Sequence, residues 1–254
     1  MKILYKAILY PMMLMASSTV FAQADTAFCD SDWLQHSKKI KGEISQSLAQ
    51  FTINVQEVKR QDSQNCQATL QINLQTQTLI PNASGIFTLA VRDNKANIEG
   101  KLTSSTTNSP YGESSVEAQL IGLLLKPVSY IKEGTKIPAR KYTAQTTVDM
   151  FLAKGFPRIS QMLIRNTVFS AQASIVGSSQ TINTAMGALS CMPLHYQAEV
   201  ASGSLYESLT KKERPSKIKK LGVTEWYCPS MGLSMQTEFR YQNQLYTMKI
   251  TDIQ

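Results

Sequence analysis

The sequence predicts a mainly β fold, an antiparallel sheet with one covered face and two helices as minor elements. Two observations lead there. About ten or eleven short runs alternate apolar and polar residues, with polar turn clusters between them, and only two stretches show helical spacing. An antiparallel sheet accommodates such half-apolar strands, and the helices would cover its apolar face.

The chain opens with Lys2 and Lys6, then the apolar run Ala7 to Ala16, then a small polar stretch ending Ala22-Gln23-Ala24. This is the pattern of a secretory leader, and the apolar run is too short to span a bilayer. Residues 1–24 are therefore expected to be removed, leaving 25–254 as a single β-rich domain exported to the periplasm. Phe28 before Cys29 argues against a lipid-anchored cysteine, which needs a small residue there.

The first helix is placed after Asp30 or Ser31, with Trp33, Ile40, Ile44, Leu48 and Phe51 along one side and Gly42 interrupting it. Phe51, Ile53 and Val55 then alternate, Gln61 to Asn65 forms a polar turn, and Leu70 to Ile80 alternates again. Further strands are expected at Ile86–Arg92 and Ala96–Ser104, and Thr103 to Ser109 reads as a polar loop. The second helix starts at a capping box, Ser114 with Glu117. Val116, Leu120, Leu123 and Leu124 follow on one face with Ile121 beside it, before Pro127. From there strands return: Lys141–Phe151, Leu163–Val176, Thr181–Leu189, Leu194–Val200, Val223–Cys228, Leu233–Tyr241 and Leu245–Ile253. The last two enclose a hairpin tip, Gln242 to Gln244.

Four cysteines, Cys29, Cys66, Cys191 and Cys228, allow three connectivities in an exported protein. Neighbour pairing would put one staple near each end of the chain, with equal spacing. Metal or redox chemistry lacks support: there is no C-x-x-C, and His36 and His195 are the only histidines. No G-x-S-x-G elbow, phosphate loop or H-E-x-x-H pair occurs, and Asp149 has no carboxylate partner nearby. Catalytic residues, metal and cofactor are accordingly all expected to be absent.

The chain has 26 basic and 18 acidic residues; without Lys2 and Lys6 the balance is 24 to 18. Almost all of that excess lies in Lys211 to Lys220, where Lys211, Lys212, Arg214, Lys217, Lys219 and Lys220 oppose Glu213. Such a run suits an anionic membrane surface or an acidic envelope component. Export and the lack of interleaved aromatics exclude nucleic acid as its partner.

The segment Thr181 to Ile253 contains Thr181 to Cys191 (TINTAMGALSC) and Val223-Thr224-Glu225-Trp226-Tyr227-Cys228-Pro229-Ser230-Met231-Gly232-Leu233. It resembles a bacterial envelope family of unknown function with a polar strand, glycine, aromatic and cysteine, then a W-Y-x-P-G-x-G turn and a closing hairpin. Here Ser230 replaces the usual glycine and Cys228 a small residue. The family is similar in fold to the periplasmic lipoprotein carriers, which implies a curved sheet or incomplete β-barrel with one or two helices against its concave face. The resemblance also implies that Cys191 and Cys228 lie on nearby strands. Trp226 and Tyr227, adjacent on a strand, should face opposite sides.

The expected function is therefore non-catalytic: a binding or carrier protein for a lipid-like or amphiphilic envelope ligand. Leu120, Ile121, Leu123, Leu124, Trp226 and Tyr227 would hold that ligand, and the basic run would contact an anionic surface. The alternative is an envelope assembly factor that docks a partner protein through strand edges or through residues 211–220.

Overall fold

Period-two alternation governs nearly the whole chain, including both stretches that read as helices. The structure is a computed structural model and describes residues 28–45, 49–75, 82–92, 95–109, 112–122, 131–152 and 156–254; at 95, 105–109 and 112–122 it describes backbone alone. A 3-10 turn at Phe28–Asp30 precedes the strands. These are β1 Lys39–Ile44, β2 Ala49–Arg60, β3 Cys66–Gln75, β4 Asn82–Arg92, β5 Lys95–Ser109, β6 Gly112–Gly122, β7 Lys136–Ile137, β8 Arg140–Phe151 and β9 Arg158–Ala171. They continue as β10 Ser174–Ile175, β11 Gln180–Thr184, β12 Gly187–Ala201, β13 Ser204–Glu207, β14 Lys212–Arg214, β15 Ile218–Cys228, β16 Leu233–Tyr241 and β17 Gln244–Ile253. Among the described residues no helix is long and apolar enough to cross a membrane.

Fifteen strands form one antiparallel sheet in the order β11-β12-β15-β16-β17-β1-β2-β3-β4-β5-β6-β8-β9-β13-β14, and β7 pairs with β10. The first and last strands of the chain lie side by side, with Ile40 opposite Ile253. Bulges at Lys41/Gly42, Val55/Glu57, Ala144/Thr146 and Trp226/Tyr227 bend the strands locally. The sheet curls until β9 meets β12 along four pairs, from Ala171↔Ala198 to Val168↔Ala201. Beyond this short seam the two strands part. β11 takes the edge of β12 at Cys191 and before it, while β13 takes the edge of β9 at Arg165 and before it. The result is a strongly curved, incompletely closed barrel.

Both expected helices are corrected. Trp33 to Phe51 is a turn region followed by β1 and β2, with Gly42 opposite Phe51 and Ile40 opposite Ile53. The spacing of four between Ile40 and Ile44 is even, so it serves a strand as well as a helix; Leu48 lies outside the described residues. A Cβ at Gly42 would strike the Phe51 ring, so this glycine leaves room for that ring to lie across β1. The stretch from Ser114 is strand β6, paired with β5 on one side and β8 on the other, with Leu120 opposite both Gly100 and Ala144. Val116, Ala118 and Leu120 alternate with Glu117 and Gln119, and two backbone ladders outweigh one capping box. Leu123 and Leu124 lie outside the described residues, as do residues 1–24. Thr103 to Ser109 is the end of β5 rather than a loop.

The main core collects Val55, Leu70, Phe87, Leu89, Ile98 and Met235 from strands around the barrel. The segment Phe28 to Leu34 contributes to it from outside the sheet, with the Phe28 and Trp33 rings edge to face at 5.5 Å. Cys29 is bonded to Cys66 on β3, and Cys191 on β12 to Cys228 on β15. The turn after Cys228 closes with Gly232 N–H donating to the Cys228 carbonyl at 3.0 Å. Gly232 has φ +66, and a Cβ there would collide with Ser31 Oγ, so this glycine serves both the turn and the packing of the N-terminal segment.

Candidate functional site

The seam brings together side chains that lie far apart in the chain. Arg140 pairs with Ala171, Ala171 with Ala198, and Tyr196 with Val223. Antiparallel partners share a face, so Arg140 and Tyr142 of β8, Phe169 of β9, Tyr196 of β12 and Glu225 of β15 all point to one side. Ala171, Tyr196, Ala198 and Val223 form an apolar cluster on that side, with Phe169, Leu221 and Phe239 packed against it.

At its centre Arg140 Nη2 donates to Glu225 Oε1 at 3.1 Å, with the two side chains only 4% and 13% exposed. The Tyr196 hydroxyl donates to the same oxygen, and the Ser234 hydroxyl donates to Oε2 at 3.3 Å. The Arg140 guanidinium also lies over the Tyr196 ring, 4.8 Å from its centre, and Tyr142 stacks on Phe169 at 5.2 Å. A carboxylate from one side of the seam thus neutralises a guanidinium from the other, and hydroxyls complete its hydrogen bonds.

Burial pushes the Tyr196 hydroxyl well above its ordinary range and raises that of Tyr142; the Glu225 charge adds to both, and the Arg140 charge opposes them. Burial works against the Arg140 charge, but Glu225 and the tyrosines outweigh it and raise its pKa. The tyrosines carry a sign for stability. Above the ordinary value of 10.0 they ionise in the unfolded chain while remaining neutral in the fold. Stability is therefore expected to be intact below about pH 10 and to fall as pH rises beyond it. In urea unfolding between pH 9 and 11.5, Tyr196→Phe should show a shallower decline than the wild type; equal slopes would contradict this.

The opposite face carries His195 and Thr224. An open groove of about 550 Å³ lies there, lined by Gln172, His195, Gln197, Thr224, Glu238 and Arg240 among others. His195 Nδ1 is 3.0 Å from Thr224 Oγ1. Asp149 instead accepts from Arg158 at 3.0 Å and from Gln161 at 2.9 Å. Asp149 and His195 thus have different hydrogen-bond partners. His36 contacts the Gln56 carbonyl.

Trp226 packs against the main core and Tyr227 against a separate cluster of Ile131, Ile137, Val176, Met192 and Leu194. Both rings are half-buried, packed against these clusters without being enclosed by them. Leu120 and Ile121 sit on β6 between β5 and β8.

The basic run is exposed from Lys211 to Lys220, but it is not a single loop. Lys212 and Arg214 belong to β14, which pairs with β13. Lys219 and Lys220 begin β15, where Lys219 lies over Tyr241 at 5.2 Å and Lys220 reaches Glu199 at 3.7 Å. Sequence reading did not single out Arg140, Tyr196 or Glu225. Their signal is faint: Arg140 and Glu225 are each one of three charges on an alternating strand, and charges there ordinarily face water.

No family model matches the chain, and no curated protein matches it. Solved structures do. A protein of Bacteroides fragilis, described as exported and of YmcC-like fold, is 12% identical, with a TM-score of 0.50, over 87% of this chain and 96% of its own. A protein of Parabacteroides distasonis, described as a lipoprotein, is 13% identical, with a TM-score of 0.47 over 87% and 96%. The hypothetical lipoprotein YmcC of Escherichia coli is 12% identical, with a TM-score of 0.33 over 91% and 90%. At these identities the likeness is one of fold: the chain has the architecture of the YmcC-like protein from Bacteroides fragilis.

Proposed function

We propose that this chain is an exported, non-catalytic binding protein of the periplasm, and that its ligand is an anionic amphiphile engaged at the protein surface. The leader pattern and the two disulfides support export, and the fold is shared with a protein described as exported. The observation that carries the ligand class is the exposed run Lys211 to Lys220, six cations against Glu213 along two neighbouring stretches of chain. A ligand held inside finds less support, because Trp226 and Tyr227 are half-buried against core clusters and the helix meant to line a cavity is a strand.

Docking of a partner protein along a sheet edge also finds less support at β14. That strand ends the sheet order, and its three residues, Lys212-Glu213-Arg214, are all charged, a composition that discourages edge pairing.

The expected result is stronger retention on phosphatidylglycerol-containing vesicles than on purely zwitterionic ones. Retention should weaken as salt passes about 0.15 M, where exposed charges are screened over roughly 8 Å. Equal retention on both vesicle types would overturn the reading.

A further inference from the structure

Beside the basic run lies an apolar feature that charge alone does not explain. Leu152, at the end of β8, is 66% exposed, and Phe156, just before β9, is 57% exposed. Ile159 on β9 is 47% exposed and Leu209, just after β13, is 70% exposed. Single exposed apolar residues are ordinary, but these four are brought to one end of the sheet. Glu207 pairs with Met162 on β9. The next residue, Ser208, donates its N–H to the Gln161 carbonyl at 2.9 Å, and its hydroxyl accepts from Gln161 N–H at 2.8 Å. Leu209 is thereby fixed beside the start of β9, where Ile159 and Phe156 lie. Phe151 opposite Arg158 places Leu152 at the same end.

Lys211 and Lys212 follow Leu209 directly, and Arg158 stands between Phe156 and Ile159, held to Asp149 at 3.0 Å. Apolar side chains at strand ends, rimmed by cations, match a bilayer interface: the cations meet headgroup phosphates and the apolar groups enter the acyl boundary. A soluble anion would leave Leu152, Phe156, Ile159 and Leu209 in water.

The geometry points to a membrane-docking foot formed by Leu152, Phe156, Ile159 and Leu209 with Lys211 and Lys212, the partner being an anionic lipid bilayer. The inference rests on the proposed function and specifies where and how the surface is met. Capture is electrostatic and retention is apolar.

The test is co-sedimentation of the protein without its leader, residues 25–254, with vesicles of phosphatidylcholine and phosphatidylglycerol in equal parts, at 0.05 and 0.5 M NaCl. Wild type should keep measurable binding at the higher salt. Phe156→Ser and Leu209→Ser should each weaken binding roughly tenfold or more, since each removes a large apolar group from the interface. Both positions are exposed, so an unchanged thermal melt is expected and serves as the folding control. Phe156→Trp should shift its emission to the blue on adding vesicles, a response that loss of charge alone would not produce.

Binding by Phe156→Ser and Leu209→Ser equal to wild type would overturn the foot. So would loss confined to Lys217→Glu with Lys219→Glu, which would place the contact on β15 and leave the broader reading standing. Failure of the wild type to bind at 0.05 M would overturn both.

Discussion

Glu225→Ala is expected to destabilise the protein by about 3–5 kcal/mol, lowering Tm by roughly 6–20 °C for a domain of this size. The variant leaves the Arg140 guanidinium almost wholly buried without its carboxylate, and removes the acceptor of the Tyr196 and Ser234 hydroxyls. The cost is that of stranding these groups rather than the net worth of the pair. Arg140→Met with Glu225→Leu should therefore recover the part of the loss due to the stranded guanidinium, while the Tyr196 and Ser234 hydroxyls lose this acceptor in both variants. The damage should also be local first. Arg140 lies on β8 and Glu225 on β15, on either side of the β9–β12 seam, which is held by only four residue pairs. Amide exchange in Val168–Ala171 and Ala198–Ala201 should accelerate before global unfolding. A loss below about 1 kcal/mol would mean that the charges are hydrated in the fold.

How much of this could be read in advance differs by element. The β16–β17 hairpin was legible because polar and apolar residues alternate on both sides of Gln242-Asn243, where Gln242 takes φ 52 in place of the usual glycine. Strands β4 and β5 were legible in their centres for the same reason. β6 and the segment before β2 were not, since their apolar spacings suit both periods and only pairing decides between them. β6 has a neighbour on each side, and β1 lies between β2 and β17, the far end of the chain. No local pattern announces such partners.

The seam cluster was illegible for a related reason. Glu225 sits in V-T-E-W-Y and Arg140 in P-A-R-K-Y beside Lys141, and a charge in an alternating strand ordinarily marks the solvent face. Here the face turns inward because the sheet curls until β9 reaches β12. The basic run was plain from composition. Its apolar companions were not, because Leu152, Phe156 and Ile159 belong to the join of β8 and β9, while Leu209 follows β13. Register, not sequence proximity, unites them.

The second large effect is expected from Cys29→Ser with Cys66→Ser. Both disulfides span 37 positions, so the loop-entropy model assigns each about 4 kcal/mol. Any difference between the two double variants must then come from the folded side. Cys191 and Cys228 extend a ladder that already pairs Met192 with Tyr227, so cutting them leaves neighbouring strands hydrogen-bonded. Cys29 belongs to the segment Phe28 to Leu34, which lies outside every strand yet buries Phe28, Trp33 and Leu34 in the main core. Without the link to β3, that segment depends on apolar contacts, the solvent-exposed Asp30–Arg60 ion pair at 3.0 Å and a few turn hydrogen bonds. Cys29→Ser/Cys66→Ser should therefore lose more stability than Cys191→Ser/Cys228→Ser, and it alone should become susceptible to protease cleavage within residues 28–38 under native conditions. Equal urea midpoints and equal resistance to cleavage would show that packing of Trp33 and Leu34 suffices, and that Cys29–Cys66 acts only on the unfolded chain.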